Sequence, residues 1–261
     1  VYALEENTTG AYNVAIGKEA LEANTTASNN TAVGYQALTV NTSGAGNTAG
    51  GYASLDSNTT GIYNTAWGEN ALDSNTTGSY NVGIGRYAGG TNTTKNNNTS
   101  IGASAGYGST GTENVYIGAN SGYTSGLRNR NVVVGSTAGY AMTTGSDNVI
   151  LGEDAAHSGT NNLTTGSNNI IIGGQAAASS ATVSNEITFG NSSVTKLRVP
   201  GLSVVAQAES FAIGGAIYEN AQSISADYSI TSGNNAMSAG PITIDSGVTV
   251  TVTSGCTWTV V

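Results

Sequence analysis

The chain has 261 residues, 37 of them Gly, with 9% charged residues, 38% hydrophobic residues and a formal net charge of −9. That balance argues against nucleic-acid binding through phosphate neutralisation, and Gly at this level without a Gly-X-Y triplet is not collagen. No apolar run approaches the ~18 residues of a membrane span, and the single Cys256 cannot build an intrachain disulfide framework.

From Asn7 onward the sequence repeats. The stretch from Asn75 to Gly90, NTTGSYNVGIGRYAGG, is matched 17 residues earlier by NTTGIYNTAWGENALD and again by NTSGAGNTAGGYASLD. The Gly that closes each Asn-x-x-h-Gly unit falls at Gly17, Gly34, Gly51, Gly68, Gly85, Gly102, Gly118, Gly135, Gly152, Gly173 and Gly190. The steps between these markers are 17 five times, then 16, 17, 17, 21 and 17. The repeat is entered in register at Asn7 without an initial Met, which fits a fragment or a processed chain. A regular period with small apolar residues (Ala, Val, Ile) predicts a solenoid with a thin core. At roughly 4.8 Å per coil, about eleven coils make a rod about 50 Å long.

Each strand is expected on the three residues before a marker. The first and third of these share one face by the period-2 rule. They are largely β-branched, as in Val14 and Ile16, Val82 and Ile84, Val115 and Ile117, and are expected to form the internal core, with Trp67 packed on the bare Gly50 one coil below. The middle column is Ala15, Ala32, Ala49, Ala66, Gly83 and Ser100, followed by Tyr116, Val133, Ile150 and Ile171. Small and later apolar residues there are expected to face another surface, namely a second copy of the chain. Four residues after the marker, Leu21, Leu38, Leu55 and Leu72 give way to Gly89, Gly106, Gly122 and Gly139. A further column, Asn7, Asn24, Asn41, Asn58, Asn75 and Asn92, predicts the corner of each coil, with amides bonded from coil to coil.

The units NVAIGKEAL (Asn13–Leu21), NTAVGYQAL (Asn30–Leu38) and NTAWGENAL (Asn64–Leu72) resemble the head repeat of trimeric autotransporter adhesins and, more closely, repeats in phage tail fibres. The adhesin resemblance implies a parallel homotrimer of β-rolls that binds surfaces. The stretch ITFGNSSVTKLRVPGL (Ile187–Leu202) looks like the junction that follows such repeats, and Tyr228–Val261 resembles the C-terminal end of phage fibre proteins. In that tail Val248, Val250 and Val252, then Cys256, Trp258 and Val260, alternate between Gly turns, which predicts short strands in a small cap for the open solenoid end. Residues 203–227 receive no assignment.

Chemistry is sparse. Asp56 and Asp73 share a column with Glu22 and Thr39, and a solvated corner explains them better than a glycosidase acid pair. Glu153 and Asp154 beside His157, the only His, do not make a zinc set. Glu69 is expected under Arg86 as a surface ion pair. Tyrosine is the one large side chain used freely, and Tyr35 and Tyr52 are the candidate glycan contacts. Tyr107, Tyr123 and Tyr140 form another column.

The expectation is therefore an all-β, 17-residue-repeat β-solenoid (a β-roll or β-helix) forming a parallel homotrimeric fibre, with a small all-β C-terminal domain. Residues 1–196 form the solenoid, 197–202 a junction and 203–261 a cap or tip. The expected role is a structural and receptor-binding segment of a phage tail fibre in the extracellular virion tail. Its partners would be host cell-surface glycan or protein and other virion tail proteins, with no nucleic acid, membrane insertion, cofactor, metal or catalytic residue. A bacterial trimeric surface adhesin is the alternative, and an ice-binding solenoid the third reading.

Overall fold

The computed structural model describes residues 2–124, 126–159, 161–195, 223–224, 227–230, 232–233, 235–238 and 240–260. The expected junction at 197–202 and the unassigned residues 203–222 lie outside the described residues. The chain divides into two compact units, Val1–Leu197 and Arg198–Val261.

The first unit is a β-solenoid. Eleven three-residue strands, from β1 (Val14–Ile16), β2 (Thr31–Val33), β3 (Thr48–Gly50) and β4 (Thr65–Trp67) to β11 (Ile187–Phe189), form one parallel sheet in chain order. Register follows the repeat: Ala32 pairs with Ala49, Gly50 with Trp67, and Ser100 with Tyr116 across the 16-residue coil. The marker Gly turns the chain off the strand. Gly34 has φ +142°, and a Cβ there would lie 2.3 Å from the carbonyl oxygen of Gly51. Neighbouring backbones thus approach too closely at this corner for any side chain.

The two faces of the sheet are the reverse of the expectation. Ala32, Ala49, Ala66, Tyr116, Val133, Ile150 and Ile171 are buried inside the coil, with Ala15 half-buried at its end. They are core and not a trimer interface. The flanking columns, expected inside, point outward, and Ile16 is 61% and Trp67 57% exposed. The physical reason is the width of the coil. Leu21, Leu38, Leu55 and Leu72 cross from the opposite wall and fill the interior, so only Ala fits on the strand side. The close surface signalled by the small column is the coil's own far wall.

Where that wall loses its Leu, the strand side grows. Gly106 and Gly122 leave room for Tyr116, and Gly139 stands next to Val133, so the core continues through Ile150 and Ile171 with the large residues transferred to the other wall. The wall position keeps one backbone conformation from Leu21 to Ala156, with φ +50° at Leu55 and +55° at Gly122.

Buried amides run the length of the stack. At the corner, Asn24 donates to Asn7 (2.8 Å), Asn41 to Asn24 (3.1 Å), Asn58 to Asn41 (2.8 Å) and Asn75 to Asn58 (2.8 Å). The expected ladder is thus present from Asn7 to Asn75, whereas Asn92, the last of the column, donates to the Lys95 carbonyl (3.3 Å) and leaves Asn75 Oδ1 without a partner. A second ladder starts each strand: the Asn47 backbone N–H donates to Asn30 Oδ1 (2.8 Å), while Asn47 Nδ2 crosses the coil to the Gly61 carbonyl (2.8 Å). It runs to Asn169 and stops at Glu186, whose backbone N–H donates to Asn169 Oδ1 (2.9 Å). Satisfying nearly all of these groups is what makes so polar a core tolerable.

Among the described residues of the second unit are six short strands, β12 (Ser223–Ile224), β13 (Tyr228–Ile230), β14 (Ala236–Ser238), β15 (Thr243–Ile244), β16 (Val250–Val252) and β17 (Trp258–Val260). They pair as β12 with β15, β13 with β16 and β14 with β17, all parallel. Each strand skips its sequence neighbours and meets the third one on, so the described part makes two turns of a three-sided coil. Gly233, Gly240, Gly247 and Gly255 take positive φ at its turns.

Candidate functional site

The most distinctive surface is the outward face of the eleven-stranded sheet. Side chains at the first and third strand positions project from it: Val82 and Ile84, Val115 and Ile117, Val132 and Val134, Ile170 and Ile172. They are half-buried or exposed, and no described residue covers them. Thr31, Thr48, Thr65 and Thr99 interrupt the apolar row, all in the first six strands. Trp67 is the largest side chain on this face. Its indole lies over Gly50, where a Cβ would sit 2.5 Å from Cε3. The expected Trp67–Gly50 pairing is therefore present, on the outside of the coil.

Tyr35 and Tyr52, the candidate glycan contacts, are brought together. Their rings stack with centroids 5.6 Å apart and planes at 21°, and Lys18 Nζ stands 5.4 Å from the centroid of Tyr35. Both faces of Tyr35 are therefore occupied, and Tyr52 keeps one face away from Tyr35. Tyr63 and Tyr80 stack in the same way at 5.4 Å on the other flank of the strand. The two pairs border the outward face near Trp67.

The ladder of Tyr107, Tyr123 and Tyr140 is continued by His157, with successive centroids 5.4, 5.0 and 4.9 Å apart. His157 occupies the same position after Gly152 that Tyr140 occupies after Gly135, and counting from the marker would have found it. Stacked rings present edges and hydroxyls to solvent, which suits hydrogen bonding better than stacking on a sugar ring.

Asp56 and Asp73 lie on adjacent coils, close enough for their charges to interact. Burial raises the carboxyl pKa of both Asp56 and Asp73, and the Asp56 charge adds to the effect at Asp73. Glu69 meets Arg86 at 3.3 Å on the surface. The better ion pair, missed in the sequence, is Arg130 with Asp147, bidentate at 2.7 and 3.0 Å, and the Arg130 hydrogen bonds hold the Asp147 carboxyl below its usual value. Burial alone would raise the Glu186 carboxyl, but hydrogen bonds from Ser179 and Thr188 hold it low. Among the described residues no group of three or more His, Cys, Asp or Glu could hold a metal ion.

Arg128 was also missed. It is fully buried where the corner Asn column gives way to Ser109 and Gly126, and it donates to the carbonyls of Met142 and Gly122, each at 2.8 Å. Its guanidinium lies 5.4 Å from the Tyr116 ring centroid. Arg128 thus stitches the irregular coils together and faces no open surface. The corner Thr hydroxyls are taken up along the stack at the surface: Thr42 Oγ1 donates to the Thr59 carbonyl (3.2 Å) and Thr59 Oγ1 to that of Thr76 (3.1 Å).

Compared with protein-family models, curated proteins and solved structures, the chain matches none. No helix among the described residues is long and apolar enough to cross a membrane.

Proposed function

We propose that the chain is a structural and receptor-binding segment of a phage tail fibre, assembled as a parallel homotrimer through the outward face of its strands and attaching to host cell-surface glycan. The observation that carries this reading is the uncovered apolar row along an eleven-stranded solenoid. An uncovered apolar row, here broken only by Thr and Gly positions, marks an interaction surface. At about 50 Å long it needs only ~16 Å of width to reach the ~800 Å² per partner of a stable interface.

Like-directed packing is favoured by polarity. In copies running the same way, Thr48 meets Thr48 and Thr65 meets Thr65, so hydroxyls face hydroxyls. In a fully overlapped antiparallel pair Thr31, Thr48 and Thr65 would face the levels of Ile170, Val149 and Val132. Each hydroxyl left unpaired there costs about 1–3 kcal/mol.

The glycan reading is supported by a surface of tyrosine edges and amides with few charges. The resemblance of the repeats to phage fibres and trimeric adhesins supports attachment, and a bacterial surface adhesin would use the same assembly. Sedimentation equilibrium is the test: a mass of three chains is expected, with binding to host cells that excess surface polysaccharide competes away. A monomer at all concentrations would overturn the assembly, and a trimer indifferent to cells and polysaccharide would overturn the attachment role.

A further inference from the structure

The outward face is not uniform, and one residue stands apart on it. The end strands expose Ile16 (61%) and Ile187 (62%), but between them Trp67, at 57%, is the most exposed large apolar side chain of the face, against 39% for Ile84 on the next strand. Its indole is already seated, because Gly50 directly below has no side chain and is itself buried beneath the ring. A large apolar group fixed before binding loses little conformational freedom when it is covered. Trp is also the residue type most enriched among side chains that dominate interface energetics.

The surroundings fit such a centre. Thr48 and Thr65 lie beside the indole on the same face, and the stacked pairs Tyr35–Tyr52 and Tyr63–Tyr80 stand on its two flanks. Aromatic and hydroxyl groups bordering an apolar anchor help to keep water from the contact once a partner covers it. The partner that offers a matching surface at the same height is a second copy. In like-directed copies around one axis, each Trp67 faces the Trp67 level of its neighbour.

Resting on the self-association proposed above, we infer that Trp67, seated on Gly50, is the anchor residue of that interface, and that coils three and four are where copies of the chain recognise one another. Gly50 acts as a positioning residue. A Cβ at Gly50 would lie 2.5 Å from Cε3 and 2.6 Å from Cζ3 of the indole, so any side chain there forces the ring off its seat.

The test uses the full chain carrying Trp258→Phe, which leaves Trp67 as its only tryptophan. Emission, acrylamide quenching and native mass are followed across a dilution series. Trp67 emission is expected to shift to the blue and quenching to fall as the assembly forms. Trp67→Ala should weaken assembly by about 30-fold or more, as loss of an interface anchor does, with the circular dichroism of the coil retained. Gly50→Ala should weaken assembly although Trp67 is still present. The double variant Gly50→Val with Trp67→Ile, which restores ordinary strand residues, should recover part of it.

An assembly whose Trp67 is quenched as freely as in the diluted chain would overturn the inference while leaving self-association standing. Wild-type affinity in Trp67→Ala would do the same. Absence of any assembly would overturn self-association and this inference together. Should Trp67→Ala unfold, the quenching of unmutated Trp67 and the Gly50→Ala affinity decide the matter.

Discussion

Gly122 and Tyr116 occupy opposite walls of one coil, and the bare α-carbon of the first is the space filled by the second. A Cβ on Gly122 would lie 2.3 Å from Tyr116 Cε1, and Gly122 has φ +55°. Gly122→Ala is therefore expected to destabilise the solenoid by about 2–4 kcal/mol, from left-handed backbone strain and overpacking together. Combining Gly122→Leu with Tyr116→Ala recreates the Leu55-type wall and should be milder than Gly122→Leu alone. Urea denaturation of the variants forms the cycle, and strict additivity would refute the exchange of volume between walls.

Ala49→Glu and Ile84→Glu should fail differently. Ala49 is fully buried inside the coil, so an ionised carboxylate there has no partner and the chain should not fold. Ile84 lies on the outward face, and its substitution should leave circular dichroism intact while keeping the chain monomeric. A folded Ala49→Glu chain of wild-type mass would contradict the assignment of inside and outside.

The corner ladder depends on amides and not merely on polarity. Asn58 Nδ2 donates to Asn41 Oδ1 (2.8 Å) and to the Gly61 carbonyl (3.1 Å), while its Oδ1 accepts from Asn75 (2.8 Å). Asn58→Ala should lower stability by about 2–4 kcal/mol by stranding buried partners on adjacent coils. Asn58→Asp should be worse at neutral pH and improve on acidification, because only the protonated acid keeps a donor. Equal midpoints for wild type and Asn58→Ala in urea would remove the ladder from the account.

The Asp56–Asp73 step gives stability a pH dependence of predictable sign. Both carboxyls titrate above the ordinary value of 3.8 in the folded chain, through burial first and, at Asp73, the neighbouring Asp56 charge. Between 3.8 and those raised values the folded chain holds more protons than the unfolded one. Stability contributed by this step therefore falls as pH rises through that window. Asp73→Asn should raise Tm at pH ~7 and flatten the dependence above the usual carboxylate range. A larger gain for Asp73→Asn at acid pH than at neutral pH would reverse the sign and sink the assignment.

Much of the fold is legible in the residues. The marker glycines locate every corner, and the three residues before each one are the eleven observed strands. The Asn column read as a corner is a bonded ladder as far as Asn75, and Asn92 falls outside it. The second ladder went unread because its Asn belongs to the strand motif, and its role appears only when the coil closes and Asn47 reaches the Gly61 carbonyl. Arg128 was hidden for a similar reason: a charged residue in a turn reads as solvated, and only the lapse of the corner Asn in adjacent coils makes room for it inside.

Coil length, strand positions and turn chemistry are local properties, set by steric limits on one Gly and the hydrogen-bonding reach of one Asn, so the sequence by itself determined them. Which face of the strand points inward is not local. Alternation with period two defines a pair of faces symmetrically, and β-branched residues suit an outward row as well as an inward one. The choice was made by the far wall, where Leu21, Leu38, Leu55 and Leu72 fill a narrow interior and leave room for nothing larger than Ala opposite them. Only the closed coil brings those walls together, so only the tertiary structure could put the apolar columns, Trp67 among them, on the surface.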